Sequence, residues 1–420
     1  MKILFLASEV VPFAKTGGLA DVAAALPKAI RQIGHDIRIF MPRYKCVDTN
    51  IKSEVPIYFF EDERFANREE LYCIAGKDYP DNREAFMAYC QAVDPLLKQL
   101  DWTPDIIHGN DWQTGPAVTV RPSARTATVF SIHNIAYQGE FKDRCFMKDG
   151  IESADVINTV SETYAKEIQT KEYGCGLEEI LQQRSKDIYG IVNGVDYEIW
   201  NPATDRNLVK RFSKATLSLR SQNKAALQKE IGLPQDEKIP VIGIVSRLDV
   251  QKGFDILLEA IDDLMQLNVQ LIVLGAGDPR YHRLLGNAQK KYKDRIGLKL
   301  GFDNALAHRI YAGSDMFLMP SKYEPCGLGQ LISFKYGTIP IVRETGGLAD
   351  TVRDNQNGFV FKEYSAEALV EAVGRAVEAY KATTNWQKMQ NKVMDYNYSW
   401  DASAKKYISL YAKALDKVIK

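Results

Sequence analysis

The chain has 420 residues, of which 45% are hydrophobic and 26% charged, and its 54 basic residues balance 54 acidic ones. These values are typical of a globular protein with two or three domains, and they exclude a disordered or collagen-like chain. A net charge of zero argues against binding of nucleic acid or an anionic membrane through a basic excess. It leaves room for a local basic cleft.

The first residues, MKILFLASEVVPF, combine one lysine with an apolar run. They lack a signal-peptide cleavage pattern and lead into a Gly-Gly turn, so we expect a buried first strand. No segment reaches the ~18 uninterrupted apolar residues of a membrane span. The six cysteines form no C-x-x-C pair and do not cluster with the five histidines. This argues against a zinc site or a disulfide framework and favours a reduced, cytoplasmic enzyme.

Short runs rich in Ile, Val and Leu alternate with longer amphipathic stretches along most of the chain. This pattern is typical of parallel strands covered by helices on both faces, so the predicted fold class is α/β with Rossmann-like sheets. In chain order, the predicted strands are 2–8, 36–41, 105–109, 127–132, 155–160 and 188–192 in the first half, and 239–246, 270–274, 296–300, 316–319 and 339–342 in the second.

The alternation lapses between residues 193 and 236, which marks the best domain boundary. Two Rossmann-like halves are favoured over one sheet, because single cores stop growing near ~250–300 residues. We therefore place an N-terminal domain at 1–200 and a C-terminal domain at 201–398. The apolar spacing of residues 399–420 predicts a last helix that could pack on either half, including back on the N-terminal domain.

Polar residues that directly follow the predicted strands are the candidate site residues, because ligands of open α/β sheets bind beyond the carboxyl ends of the strands. In the first half these are Lys15, Gly17, Gly18, Asp21, Asn110, Asp111, Trp112, His133 and Asn134, with Tyr137 and Gln138 nearby. In the second half they are Arg247, Lys252, Ser321, Tyr323, Glu324, Cys326 and Gly327.

The hexapeptide TGGLAD occurs twice, at Thr16–Asp21 and at Thr345–Asp350. Two glycines between a strand and a helix let the backbone approach a ligand closely, and the helix N-terminus offers N–H groups to an anion. The alternative is a pair of ordinary tight turns. Six identical residues in matching contexts favour the ligand-binding interpretation.

Several candidates have a competing structural interpretation. Arg247 and Lys252, at a strand end and before a helix, suit a diphosphate, although two basic loop residues are often only a solvated pair. Asp111 and Glu324 are candidate helix caps, and His133 is a candidate core histidine. Cys326 is interpreted as a packed thiol rather than a nucleophile, because no base lies near it in sequence.

Other common catalytic motifs are missing from the sequence. It contains no G-x-x-x-x-G-K-[ST], H-E-x-x-H or G-x-S-x-G, and LGAGD at 274–278 lacks the third glycine of a dinucleotide fingerprint. No two aspartates are separated by a single residue, so the Asp-x-Asp metal site used by many sugar-nucleotide enzymes is absent.

Seven motifs together resemble the bacterial glycogen synthase and starch synthase family, glycosyltransferase family 5. They are KTGGLADV (15–22), NDW (110–112), HNIAYQG (133–139), NGVD (193–196), SRLDVQKG (246–253), EPCGLGQL (324–331) and YGTIPIVRETGGLADTV (336–352). The resemblance implies a GT-B fold, in which two Rossmann-like domains face each other across a cleft. It also implies retaining transfer of glucose from ADP-glucose to the non-reducing end of an α-1,4-glucan primer, without a metal or cofactor; protein partners stay unknown.

The resemblance assigns roles to individual residues. The donor diphosphate would lie against Arg247 and Lys252, with Lys15, Gly17 and Gly18 reaching it from the other domain. His133 would touch the glucose, and Glu324 would hold its hydroxyls together with the backbone of 326–328. The predicted catalytic residues are thus His133, Glu324, Arg247, Lys252 and Lys15. The further predicted substrate-binding residues are Gly17, Gly18, Asp21, Asp111, Trp112, Asn134, Gln138, Asn193, Tyr323, Cys326, Gly327, Leu328, Thr345, Gly346 and Gly347.

The sequence also departs from the family pattern. Gln113 stands where many members have His, Lys322 replaces the usual Arg, and Gly329 replaces the usual Thr of EPCGLTQ. The segments 44–104 and 139–151 look shortened. Two alternatives therefore stay open: another GT-B glycosyltransferase that uses a UDP-sugar, and a catalytically silent relative that binds glucan or sugar nucleotide. Ile332 occupies the position of a second Glu found in many UDP-sugar enzymes, which disfavours the first alternative.

Overall fold

The computed structural model describes residues 1–74 and 77–418. It divides the chain into two compact units, one made of Met1–Gly194 and the segment that begins at Ser399, the other of Val195–Tyr398. Each unit has its own parallel sheet with helices packed against it. The predicted α/β class with two parallel-sheet domains is confirmed.

The first unit contains a seven-stranded sheet and two short hairpins. Its strands are β1 (Lys2–Leu6), β2 (Asp36–Pro42), β3 (Ile57–Phe60), β4 (Cys73–Ile74), β5 (Lys77–Asp78), β6 (Ile106–Asn110), β7 (Ala127–Ile132), β8 (Glu140–Phe141), β9 (Arg144–Cys145), β10 (Val156–Thr159) and β11 (Ile188–Gly190). The sheet order is β11-β10-β7-β6-β1-β2-β3 and every pair is parallel. β4 pairs with β5 and β8 with β9, both antiparallel.

The second unit contains a six-stranded parallel sheet. Its strands are β12 (Val241–Val245), β13 (Gln270–Gly275), β14 (Ile296–Leu300), β15 (Met316–Met319), β16 (Ile339–Arg343) and β17 (Phe359–Phe361), in the order β14-β13-β12-β15-β16-β17. The strand order therefore reverses between β1 and β6 in the first unit and between β12 and β15 in the second. Such reversals are the points at which open α/β sheets bind ligands.

The helices lie between the strands, as parallel crossover connections require. They are α1 (Gly18–Gln32), α2 (Glu63–Ala66), α3 (Asn82–Gln91), α4 (Val93–Gln99), α5 (Phe146–Ser153), α6 (Glu162–Glu167), α7 (Glu178–Gln183), α8 (Arg220–Ile231), α9 (Phe254–Glu259), α10 (Ile261–Leu264), α11 (Pro279–Lys291), α12 (Asn304–Gly313), α13 (Gly329–Tyr336), α14 (Gly346–Thr351), α15 (Ala366–Lys381), α16 (Thr383–Val393) and α17 (Trp400–Val418). Short 3-10 helices occupy Trp112–Thr119, Ser185–Asp187, Lys214–Leu219 and Met265–Leu267.

The terminal helix α17 belongs to the first unit. Its apolar stripe packs on α1 and β7, and two fully buried tyrosines anchor it to the sheet. The Tyr407 hydroxyl accepts a hydrogen bond from Asn158 Nδ2 at 3.0 Å, and the Tyr411 hydroxyl lies 2.8 Å from His108 Nδ1. The chain thus returns to its first sheet after completing the second.

Each predicted strand is present. The edge strands β3 and β17 and the two-residue strands β4, β5, β8 and β9 are not predicted by the pattern. Residues 195–200, predicted to end the first domain, lie in the second unit. Contacts within that unit explain the correction: Val195 N donates to Tyr398 O at 2.7 Å, and the indole of Trp200 stacks on the ring of His308 with centroids 3.9 Å apart.

Candidate active site

Four of the predicted site residues mark the points where the strand order of each unit reverses. In the first unit, the turn with Lys15 follows β1 and Asp111 follows β6. In the second unit, Arg247 follows β12 and Glu324 follows β15. The carboxyl ends of neighbouring parallel strands lie at one edge of a sheet, so each unit gathers its own cluster there. The two clusters are described separately.

Asp111 is held in an unusual backbone conformation directly after β6. Its φ is +56°, a value that few non-glycine residues adopt. The carboxylate Oδ1 accepts the backbone N–H of His133 at 2.7 Å, and it makes no capping bond to the 3-10 helix that follows. The helix-cap interpretation is therefore wrong. Burial raises the pKa of Asp111 to about 7, although the hydrogen bonds from backbone N–H groups act to lower it.

The imidazole of His133 is oriented by Asn110. Asn110 Nδ2 donates to the Leu6 carbonyl at 2.9 Å, which leaves its Oδ1 as the acceptor that faces His133 Nε2 at 2.9 Å. Burial lowers the pKa of His133 to about 4, so the ring is neutral at neutral pH. The proton then lies on Nε2, and Nδ1 is left with a lone pair that can accept a hydrogen bond from a hydroxyl.

Glu9, which is not among the predicted site residues, holds the first TGGLAD turn. Its Oε2 accepts the backbone N–H and, at 2.8 Å, the hydroxyl of Thr16, and it lies 3.3 Å from the donor Gly17 N. Glu9 is only 3% exposed, and burial raises its pKa. Its position three residues after β1 was the available sequence signal. The turn's N–H groups, expected to serve a ligand anion, thus bind a carboxylate of the chain itself.

The outer side of the same turn carries an exposed ion pair. Lys15 Nζ donates to both carboxylate oxygens of Asp21, at 2.7 and 2.8 Å. The side chains are 52% and 41% exposed. Such a pair contributes little to stability and exchanges readily with a charged ligand.

The two copies of TGGLAD need their glycines for different reasons. A Cβ on Gly17 would lie 3.6 Å from Glu9 Oε1, and a Cβ on Gly18 would meet nothing within 4 Å. By contrast, a Cβ on Gly346, whose φ is +44°, would lie 2.0 Å from the Glu324 carbonyl, and one on Gly347 would lie 2.0 Å from the Cys326 carbonyl. The fold itself therefore explains the second pair of glycines but not the first.

Other predicted residues of the first unit are engaged within the protein. Trp112 is 8% exposed, and its indole packs among aromatic rings, including Phe86 at 5.0 Å. Asn134 Oδ1 accepts the N–H of Ala136 at 3.1 Å. Gln138 Nε2 donates to Cys175 O at 2.8 Å. Asn193 is buried at the end of the unit. For Trp112 in particular, the structure shows a packing role.

In the second unit, the loop from Arg247 to Gly253 presents two cations. Arg247 is half exposed; its Nη2 donates to Gln251 Oε1 at 3.0 Å and its Nη1 lies 3.3 Å from Asp249 Oδ2. The backbone N–H of Lys252 donates to Asp249 Oδ1 at 2.9 Å. Gly253 has a φ of +77°, and a Cβ there would lie 2.0 Å from the Pro320 carbonyl. Only glycine permits this approach between the loops that follow β12 and β15.

Glu324 joins these two loops through its side chain. Its Oε2 accepts hydrogen bonds from Lys252 Nζ at 2.6 Å and from the Ser321 hydroxyl at 3.0 Å. The helix α13 begins at Gly329, and no side chain caps its N-terminus, so the helix-cap interpretation of Glu324 is also wrong. The residue is 5% exposed and its carboxylate is already bound by two donors.

The segment after Glu324 is tied to the second TGGLAD copy. Gly347 N donates to the Glu324 carbonyl at 3.1 Å, and the Cys326 carbonyl accepts Gln330 Nε2 at 3.1 Å. Cys326 is 6% exposed, as expected for a packed thiol. Gly327 has a φ of +74°. The remaining predicted residues here are the half-buried Tyr323 and Leu328 and the buried Thr345.

The three departures from the family pattern have distinct surroundings. Gln113 is 5% exposed and its backbone carbonyl accepts the Cys90 thiol. Lys322 is exposed, with Nζ 5.8 Å from the ring centre of Tyr364. A Cβ at Gly329 would lie 2.7 Å from the ring of Phe317. Among residues 1–74 and 77–418, no cluster of three or more His, Cys, Asp or Glu side chains could hold a metal.

Comparison with known proteins follows the division into two units. The family profile described as the starch synthase catalytic domain matches residues 2–183, and the profile of glycosyl transferases group 1 matches residues 225–393. Glycogen synthase from Geotalea uraniireducens is 44% identical over 99% of both chains. Glycogen synthase from Thermotoga petrophila is 42% identical over the whole of both. These alignments extend over 479 and 489 positions, so the relatives are longer than this chain.

Solved structures show the same relationship. The catalytic domain of starch synthase IV from Arabidopsis thaliana, bound to ADP and acarbose, is 33% identical over 99% of both chains, with a TM-score of 0.88. Sucrose-phosphate synthase from Thermosynechococcus elongatus, at 18% identity and a TM-score of 0.68, shares the fold. No helix in the described part of the chain has the length and apolar character needed to cross a membrane. The resemblance drawn from the seven motifs is confirmed, and the chain belongs to the glycogen synthase and starch synthase family of glycosyltransferases.

Proposed function

We propose that the chain transfers glucose from ADP-glucose to the non-reducing end of an α-1,4-glucan with retention of configuration. Relatives named glycogen synthase at 41–44% identity over nearly the whole chain support this activity. The starch synthase structure that holds ADP and acarbose supports ADP-glucose as the donor and a glucan as the acceptor. The observation that carries the proposal is the Lys252–Glu324 pair beside Arg247, at the point where the strand order of the second unit reverses.

Arg247 and Lys252 are proposed to bind the donor diphosphate. Arg247 is half exposed, and its guanidinium contacts the Gln251 amide oxygen at 3.0 Å and the Asp249 carboxylate at 3.3 Å. Lys252 Nζ directs one donor to Glu324 and has further N–H donors for phosphate oxygens. Two cations that face the leaving diphosphate stabilise the negative charge that develops as the bond breaks. We propose that the reaction therefore needs neither a metal nor a cofactor.

Glu324 is proposed to orient the glucose rather than attack it. Both donors that bind its Oε2 lower its nucleophilicity, and the remaining oxygen is free to accept a sugar hydroxyl. Cys326 is buried. Retention then follows from attack by the acceptor on the same face from which the diphosphate departs, with an oxocarbenium-like transition state. This route differs from that of retaining glycosidases, which use a carboxylate nucleophile.

The first unit is proposed to supply sugar-binding groups. The neutral His133 offers Nδ1 as an acceptor for a hydroxyl, and the Asp111 carboxyl accepts or donates according to its ionisation near neutral pH. Lys15 offers a cation whose exposed pairing with Asp21 is easily exchanged. None of the six cysteines forms a disulfide, which agrees with our proposal of a cytoplasmic location.

The test is primer-dependent release of nucleoside diphosphate with glycogen, with ADP-glucose and UDP-glucose as donors. Arg247→Ala and Lys252→Ala are expected to lower turnover by a factor on the order of 10² to 10³, the usual effect of removing a group that stabilises the transition state. Lys291→Ala, which removes an exposed lysine paired with Asp262 in the same unit, is the matched control.

The donor comparison and a binding assay separate the alternatives. Faster turnover with UDP-glucose than with ADP-glucose would replace the proposed donor. ADP-glucose binding without any diphosphate release would instead identify a catalytically silent relative. Normal turnover in both the Arg247 and Lys252 variants would overturn the diphosphate assignment.

A further inference from the structure

The first TGGLAD turn is built around a buried carboxylate that no motif of the sequence includes. All three donors on the inner side of the turn, Thr16 N, Thr16 Oγ1 and Gly17 N, converge on one oxygen of Glu9. Glu9 follows β1 by three residues, so the rigid edge of the sheet sets its position. Hydrogen bonds to a charged acceptor are about twice as strong as neutral ones. The inner side of the turn is thus closed by the protein itself.

The outer side of the turn is open in the same structure. A Cβ added at Gly18 would meet no atom within 4 Å, and one at Gly17 would make only an ordinary contact. Neither glycine has a positive φ. Lys15 and Asp21, which flank the turn, are about half exposed. The outer side of the turn is therefore available to a substrate. The positions of the groups on that side depend on how Glu9 holds the inner side.

Glu9 is also electrostatically coupled to its neighbours. Burial is the main cause of the raised pKa of both Asp111 and Glu9. The charge of Glu9 raises the pKa of Asp111 further, and the charge of Asp21 raises that of Glu9. Burial, with a smaller contribution from the charge of Glu9, also raises the pKa of Tyr44 and of Tyr72. The cations near this group include Lys15, which is engaged by Asp21, and Arg68, whose charge acts against the effect of burial on the pKa of Tyr44. A change of charge at Glu9 must therefore be felt at Asp111.

We propose that Glu9 is a positioning residue for glucosyl transfer: its carboxylate fixes the turn at residues 15–18 so that Lys15 and Gly18 face the substrate. Its negative charge also acts on Asp111, in addition to the larger effect of burial. The inference rests on the proposed function. It predicts that Glu9 acts on the reaction through the turn and through Asp111, without contact with the substrate.

The experiment compares Glu9→Ala and Glu9→Gln with Glu54→Gln by steady-state kinetics with ADP-glucose and glycogen. Gln keeps a neutral acceptor for the three donors, whereas Ala removes it. We expect kcat/KM to fall on the order of a hundredfold in Glu9→Ala, the effect of a misplaced group near the reacting centre, and about tenfold in Glu9→Gln. Glu54→Gln neutralises an exposed carboxylate paired with Lys28 and is expected to match the wild type.

The pH profile distinguishes positioning from simple support of the fold. Loss of the Glu9 charge lowers the pKa of Asp111, so the acidic limb of kcat/KM is expected to move to lower pH in Glu9→Gln and not in Glu54→Gln. A uniform loss of activity with an unmoved profile would overturn the inference. Wild-type kinetics in Glu9→Gln would also overturn the inference. If Glu9→Ala does not fold, the Glu9→Gln variant alone decides the test. Inactivity of the wild type with every donor would instead refute the proposed function.

Discussion

Lys252 and Glu324 lie 72 residues apart in sequence, yet Nζ and Oε2 are 2.6 Å apart. The side chains are 20% and 7% exposed. The pair connects the loop after β12 to the loop after β15, where the strand order of the second unit reverses. The cation that we propose to bind the donor diphosphate therefore also joins these two loops.

Breaking this pair is expected to destabilise the second unit. Lys252→Met leaves the Glu324 carboxylate buried with only the Ser321 hydroxyl as donor, so we expect a loss of about 2–3 kcal/mol, less than for a fully buried pair. The double variant Lys252→Met/Glu324→Gln removes the uncompensated charge and is expected to recover part of that loss. Thermal unfolding of the wild type, the single variants Lys252→Met and Glu324→Gln, and the double variant measures the coupling, and strictly additive effects would contradict it.

Alanine substitutions in the two TGGLAD copies are expected to have opposite consequences. Gly346→Ala places a methyl group against the Glu324 carbonyl at a positive φ, so it should lower the melting temperature. Gly18→Ala meets open space at the start of α1 and should leave the melting temperature unchanged or slightly higher. If the open side of the first turn faces substrate, Gly18→Ala should lower kcat/KM. Equal melting temperatures for the two variants would contradict the assignment.

Asp111 is expected to make stability depend on pH. The folded protein keeps this proton up to about pH 7, whereas an unfolded aspartate loses it near pH 3.9, so the folded state binds more protons between these values. The stabilisation is complete below the unfolded pKa and is lost as the pH rises through 7. Asp111→Asn does not titrate and should remove this part of the slope. Melting temperatures from pH 4.5 to 8 test the prediction, and parallel curves for the two proteins would refute it.

Tyr364 is expected to support the loop that carries Arg247 and Lys252. Its hydroxyl lies 2.5 Å from Asp255 Oδ1 and 3.2 Å from the Val250 carbonyl. Tyr364→Phe should loosen the loop and raise KM for ADP-glucose about three- to tenfold with a smaller change in kcat. Tyr292→Phe serves as the control. It also removes a tyrosine–aspartate hydrogen bond, in this case between the residue that follows α11 and Asp262 on α10. An unchanged KM in Tyr364→Phe would exclude the supporting role.

The sequence by itself determined the class of the fold and the neighbourhood of the site. Alternation of apolar runs and amphipathic stretches is a local property. It located the strands of the two parallel sheets except the edge strands β3 and β17, and it missed the two-residue strands of the hairpins β4–β5 and β8–β9. Polar residues after those strands, such as Arg247 and Asp111, could be named because parallel strands share one carboxyl edge. The order of the seven motifs added the family.

Only the tertiary structure decided how those residues are held. It showed that Glu324 pairs with Lys252, that Asp111 adopts a positive φ and that Trp112 packs in an aromatic core. It also placed Glu9 beneath the first glycine turn and moved residues 195–200 into the second unit. These features depend on which strands become neighbours and which loops meet, and that is set by packing between segments far apart in the chain. Local periodicity in the sequence does not predict this packing.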